Sequence, residues 1–113
     1  MFDFITPKVP QVEVKDLFDA IQKKEDFILL DVRTPGEYSK GKIAGSINLP
    51  VDEVKEKVES IIPEKQKLVY VYCLSGSRSV VAVDAMIKLG YKKVFDVKSG
   101  LLAWRVSNFP VVI

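Results

Sequence analysis

From Leu68 to Tyr72 the chain reads Leu-Val-Tyr-Val-Tyr, β-branched and aromatic residues with no polar alternation. A strand with one wet face alternates apolar and polar residues. An unbroken run suits a strand covered on both faces, as in parallel sheets packed between helices. Phe27-Ile28-Leu29-Leu30-Asp31-Val32 has the same character, with one acid near its end. Two such runs in one short chain point to an α/β fold with a parallel sheet and helices on both faces.

The rest of the chain fits that alternation. Val12–Val14 reads as a short first strand, Lys15–Lys24 as a helix with Leu17, Phe18 and Ile21 on one face, and Phe27–Val32 as a central strand. Thr34-Pro35-Gly36 is a turn, Pro35 being suited to helix entry, and Glu37–Gly41 is at most a short helix. Ser46–Leu49 is a third strand. Asp52–Ile62 is a helix with Val54, Val58, Ile61 and Ile62 on one stripe, ended by Pro63. Lys67–Tyr72, a helix over Ser79–Leu89, the strand Val94–Val97 and a short helix over Gly100–Ser107 complete the order.

The only cysteine, Cys73, falls where the fourth strand becomes a loop, and Leu74-Ser75-Gly76-Ser77-Arg78-Ser79 leads from it into a helix. The first N–H groups of a helix have no partner inside it and can point at an anion. The thiolate is the nucleophilic form of cysteine, and a helix N-terminus with N–H donors favours it by about 0.3–2 kcal/mol for the dipole and about 1.5–3 kcal/mol per charged hydrogen bond. A lone cysteine is more often a small buried hydrophobe. The donor-rich loop after Cys73 favours the nucleophile here. Cys73 is therefore the candidate catalytic residue, and Leu74, Ser75, Gly76, Ser77, Arg78 and Ser79 are the candidate substrate-binding residues. Arg78 either helps to bind an anionic substrate or forms a salt bridge at the rim. Open α/β sheets place their functional crevice at the carboxyl ends of the strands, and both Cys73 and Asp31 fall there.

Composition narrows the class. At 113 residues the chain is expected to form a single domain over 1–113, with 1–11 as an irregular lead-in carrying Pro7 and Pro10. A net charge of +2 is too small and too dispersed to argue for nucleic acid. One cysteine excludes an internal disulfide, and with no histidine a metal site is not expected. No cofactor is expected either. The start of the chain lacks a basic, apolar leader and no segment is long enough to span a membrane, so a cytoplasmic protein without membrane contact is the expectation.

Three motifs in order carry a resemblance. Leu29-Leu30-Asp31-Val32-Arg33, with Glu37-Tyr38, Gly41, Ile43, Gly45 and Ile47-Asn48-Leu49-Pro50, is the first. The loop Cys73–Ser79 is the second, and Leu89-Gly90-Tyr91 with Ser99-Gly100-Leu101-Leu102-Ala103-Trp104 is the third. Together they resemble the single-domain rhodanese (thiosulfate sulfurtransferase-like) family over nearly the whole chain. The resemblance implies a five-stranded parallel sheet in the order 1-5-4-2-3. It implies a sulfurtransferase in which Cys73 takes sulfane sulfur from thiosulfate, a persulfide or a polysulfide and passes it to cyanide, a thiol or a sulfur-relay protein. Two positions depart from the family pattern. Lys42 stands at a usual histidine, with no catalytic loss expected, and Ser99 stands at a usual glycine, with a small backbone shift expected at the last helix.

Rival functions follow from the same motifs. A persulfide carrier or binding module for a partner protein is one. A cysteine phosphatase is another, but its loop places five residues between cysteine and arginine, and here there are four, Leu74 to Ser77. Asp31, Arg33, Glu37 and Trp104 read as structural, with Arg33 and Glu37 spaced for a local pair.

Overall fold

The computed structural model describes residues 6–113, so the first five residues of the expected lead-in lie outside it. Eleven elements follow the expected alternation: β1 (Gln11–Val12), α1 (Val14–Gln22), β2 (Ile28–Asp31), α2 (Pro35–Lys40), β3 (Ile47–Asn48), a 3₁₀ turn (Val51–Glu53), α3 (Val54–Ile61), β4 (Leu68–Tyr72), α4 (Ser77–Lys88), β5 (Lys93–Val97) and α5 (Gly100–Val106). All pairings between these five strands are parallel and the sheet runs β1-β5-β4-β2-β3, the order implied by the resemblance.

The apolar runs are unbroken because successive residues serve opposite faces. Leu30, Val69, Val71 and Val94 pack with Val54 and Val58 of α3 and with Ala82, Val83 and Met86 of α4. Leu29, Tyr70, Tyr72 and Val97 pack with Leu17 of α1 and with Leu101 and Trp104 of α5. Trp104 is buried and donates from Nε1 to the Pro110 carbonyl at 2.8 Å, with Phe109 edge-on to its ring.

Several boundaries differ from the sequence reading for local reasons. β1 begins at Gln11, inside the expected lead-in, because Pro10 O accepts from Asp96 N–H and draws the chain alongside β5. α2 begins at Pro35 because Thr34 caps it: Thr34 Oγ1 accepts from Glu37 N–H while the Glu37 carboxylate accepts from Thr34 N–H. α4 begins at Ser77, two residues earlier than its apolar pattern, because Gly76 takes φ 113° and turns the chain into the helix. Ile61 does not join the buried stripe of α3. It is exposed, and Ile62 beyond the helix end fills the core instead.

Arg33 does not pair with Glu37. Its guanidinium lies on Asp31, donating from Nε at 3.0 Å and Nη2 at 2.6 Å, and its Nη2 also reaches the Gly41 carbonyl at 2.7 Å. Both side chains are buried. Asn48 Nδ2 donates to the Asp31 and Arg33 carbonyls, closing the edge between β2 and β3. Removing one partner of a buried ion pair leaves the other charge without compensation, at a cost of about 3–5 kcal/mol. Arg33→Ala is therefore expected to lower the unfolding free energy by about that amount, read from urea denaturation at neutral pH.

Candidate active site

The site is built at the carboxyl end of β4. Cys73 follows the strand directly, and the loop then folds back so that the first turn of α4 faces the sulfur. Gly76 N–H donates to Cys73 Sγ at 3.0 Å and Ser79 N–H at 3.4 Å. The Ser79 hydroxyl lies 3.4 Å from the same sulfur. Gly76 is the residue before the helix and Ser79 the third within it, so both N–H groups belong to the unpaired set of a helix start.

This narrows the expected cradle. Among the described residues, Gly76 and Ser79 supply the hydrogen bonds to Sγ, while Leu74, Ser75, Ser77 and Arg78 make none to it. The sequence also predicts that Cys73 lies at the bottom of a shallow, solvent-reachable pocket ringed by backbone N–H groups. The structure corrects this: Cys73 has no exposed surface and the sulfur is wrapped by the loop. Ser75 and Ser77 form the exposed rim above it.

Arg78 takes the rim salt bridge. Its Nη1 and Nη2 donate to Glu37 Oε1 and Oε2 at 2.7 and 3.0 Å, a bidentate pair that ties the loop to α2. The guanidinium still lies close enough to Cys73 for a charge there to favour its protonated form. The Arg78 hydrogen bonds, helped by the Thr34 N–H and opposed by partial burial, pull the Glu37 carboxyl down to about 2.

A contact that the sequence reading did not anticipate holds the loop from below. Leu101 N–H donates to the Cys73 carbonyl at 2.9 Å, and Leu102 N–H donates to the Leu74 carbonyl at 3.0 Å. The start of α5 thus caps the backbone on either side of the Cys73–Leu74 bond. Gly100 makes the approach possible: a Cβ there would sit 2.2 Å from the Cys73 oxygen and 2.9 Å from the Leu74 oxygen. The signal in the sequence is a glycine placed where a strand turns into a helix. Ser99 beside it has φ 60° and so occupies the left-handed region, where glycine sits without strain. The Lys42 backbone pairs antiparallel with Val112, and its Nζ rests 4.8 Å from the centre of the Tyr38 ring.

A second missed feature is Asp96 on β5. It is fully buried, with Oδ1 2.5 Å from the Ser79 hydroxyl and Oδ2 2.7 Å from Gln11 Nε2. Burial pushes its carboxyl above the ordinary range, partly offset by those two hydrogen bonds. No group of histidine, cysteine or acidic side chains among the described residues is arranged to hold a metal ion, and no helix is long and apolar enough to cross a membrane.

Two predictions follow from this geometry. Gly100→Ala is expected to cost about 2–4 kcal/mol in urea unfolding, from the left-handed backbone and the overpacked carbonyls together. For the Glu37–Arg78 pair, the folded carboxyl at about 2 lies below its ordinary 4.5. The pair's contribution is therefore fully present above about pH 4.5 and is lost as pH falls toward 2. A solvent-screened, half-buried rim pair such as this one contributes about 1 kcal/mol. The small stability gap between wild type and Arg78→Ala is expected at pH 6 and should close across that window, measured as urea midpoints.

Comparison with known proteins agrees with the architecture. The family description "Rhodanese-like domain" matches residues 13–107. A protein from Allochromatium vinosum named "Sulfurtransferase" is 31% identical over 104 residues, covering 92% of this chain and 95% of its own. A "Putative sulfur carrier protein" from Bacillus subtilis is 31% identical over 85% of this chain and 51% of its own length. The crystal structure of a rhodanese-related protein from Thermoplasma volcanium superimposes with a TM-score of 0.81 at 36% identity, covering 92% of this chain and 98% of that one.

Proposed function

The chain belongs to the rhodanese-like domain family, and on that premise we propose that it is a sulfurtransferase working through a persulfide on Cys73. The observation that carries the proposal is the convergence of Gly76 N–H, Ser79 N–H and the Ser79 hydroxyl on one sulfur at the start of a helix. Two N–H donors, from Gly76 and Ser79, on a group that needs none as a neutral thiol are suited to its anion, while the Ser79 oxygen accepts from the thiol.

The reaction divides one transfer into two. The Cys73 thiolate attacks the outer sulfur of a donor such as thiosulfate. A new S–S bond forms, the donor's own S–S bond breaks, and sulfite leaves with the electron pair. A nucleophilic acceptor, cyanide in an assay or a thiol, then attacks the outer sulfur of the persulfide, and the Cys73 thiolate leaves. Neither leaving group needs a proton, which suits a site with no histidine. Because Cys73 is wholly covered, the incoming sulfur needs displacement of loop residues 74–78. Ser75 and Ser77 at the rim, with Leu74 and Arg78 behind them, are then the groups nearest the donor.

The substrate is a small sulfane-sulfur compound or the persulfide of a partner protein in a sulfur relay. The latter fits the name of the Bacillus subtilis relative.

Intact mass is the test. After thiosulfate the protein is expected to gain one sulfur atom, and cyanide is expected to remove it as thiocyanate. Cys73→Ser should remain folded by circular dichroism and gain none. Retention of the added sulfur by Cys73→Ser, or no gain by the wild type from thiosulfate or polysulfide, overturns the proposal.

A further inference from the structure

The described chain buries two carboxylates in or beside its sheet, and they are treated differently. Asp31 is fully buried and carries a cation, Arg33, across a bidentate contact. Asp96 is equally buried and carries none: its partners are the amide of Gln11 and the hydroxyl of Ser79, both neutral. A buried carboxylate without a cation is costly to keep charged. Nothing in the packing of β5 requires an acid there. Its strand neighbours Val71 and Gln11 are uncharged.

The position of Asp96 supplies the reason. On β5 it points to the same side of the sheet as Val94, under the first turn of α4. Oδ1 lies 2.5 Å from Ser79 Oγ, and Ser79 Oγ lies 3.4 Å from Cys73 Sγ. The three groups form one continuous chain from thiol to carboxylate. We propose that Asp96, acting through the Ser79 hydroxyl, holds the proton that Cys73 releases, so that the thiolate forms by moving a charge already buried. The proposal rests on the reading of Cys73 as the sulfur-carrying residue.

The step balances without a co-reactant. The S–H bond breaks as Ser79 Oγ accepts its proton, and the former Oγ–H proton passes to Asp96 Oδ1. The negative charge moves from carboxylate to sulfur, and nothing is oxidised or reduced. The Ser79 hydroxyl then donates to the thiolate, joining the N–H groups of Gly76 and Ser79. The site holds one negative charge before and after, so no second ion has to be desolvated. The groups facing the cluster are Gln11 from β1, Ser79 from α4 and Cys73 from the loop. Arg78 is the cation whose field reaches the sulfur, and Glu37 neutralises it from α2. In a chain with no histidine, this pair of side chains takes the place of an imidazole base. Asp96 touches neither sulfur nor substrate and is a positioning residue for the proton.

Two coupled groups sharing a proton release it in two macroscopic steps. The experiment is the far-ultraviolet thiolate absorbance of the wild type minus that of Cys73→Ser, followed against pH. That baseline removes tyrosine ionisation, and the reading needs no access to the sulfur. The wild type is expected to show two thiolate steps, the lower one from the proton held on Asp96. Asp96→Asn, which keeps the shape and both hydrogen-bonding positions, should show one step carrying the whole amplitude. Ser79→Ala should lose the lower step. A wild-type curve with a single step overturns the relay by itself, whether or not the variants fold. So does an Asp96→Asn curve that keeps both steps. The sulfurtransferase reading fails separately: a two-step curve with no gain of sulfur mass upholds the relay and overturns that function.

Discussion

The hydrogen bond from Leu101 N–H to the Cys73 carbonyl is the contact on which the active-loop geometry depends. A residue at the end of a parallel strand has already spent its strand pairing, and the next peptide groups need new partners. Here the start of α5 provides them, through Leu101 for Cys73 and Leu102 for Leu74. The start of α4 provides for the other side of the same residue, through Gly76 and Ser79 N–H on the sulfur. One cysteine is thus held between two helix starts, its carbonyl by one and its side chain by the other. Gly100 is the steric condition for the first, since no Cβ fits against the Cys73 oxygen. Gly76 is the conformational condition for the second, since its φ of 113° brings the chain round.

The carboxyl edge of the sheet is polar almost throughout, yet every buried side-chain N or O atom among the described residues has a partner. Asp31 and Arg33 satisfy each other and the Gly41 carbonyl, Asn48 takes the carbonyls left by β2, and the Tyr72 hydroxyl accepts from Ile43 N–H beside Ser46. Burial, with Asp31 close by, pushes the Tyr72 phenol well above its ordinary range, so it stays neutral. A satisfied network of this kind is stiff. It anchors the loop after β2, and from there Glu37 reaches Arg78 and fixes the far side of the cysteine loop. Thr34 holds Glu37 in place through the α2 cap. The sequence spacing of Arg33 and Glu37 suggested a local pair. The folded chain instead gives each a different partner, Asp31 for one and Arg78, distant in sequence, for the other.

What was legible in the sequence was what depends on local pattern. Unbroken apolar runs marked β2 and β4, proline and glycine marked the turns, and a glycine-serine loop before an apolar helix marked the start of α4 beside Cys73. What was not legible depends on contacts between segments distant in sequence. Asp96 reads as one acid in an apolar strand, and only the register that places it over Gln11 and under Ser79 gives it a partner and a position. Gly100 reads as the opening of a helix, and only the β4–β5 pairing brings that opening onto Cys73. The covering of the thiol is of the same kind. Loop composition announces donors, but how tightly they close is set by the Arg78–Glu37 contact and by α5 beneath.

The closed loop and the chemistry are two sides of one constraint. A thiolate stabilised by N–H donors gains most where water is excluded, because each donor counts for more in a low dielectric. The same exclusion makes it costly to generate a new charge beside a group that is already charged. A site that adds an anion next to an existing buried carboxylate would work against itself. A site that moves the charge between the two would not. The distances from Cys73 through Ser79 to Asp96 are those of the second arrangement. They also account for a buried acid that the sheet left without a cation, when Arg33 was placed within reach of the other one.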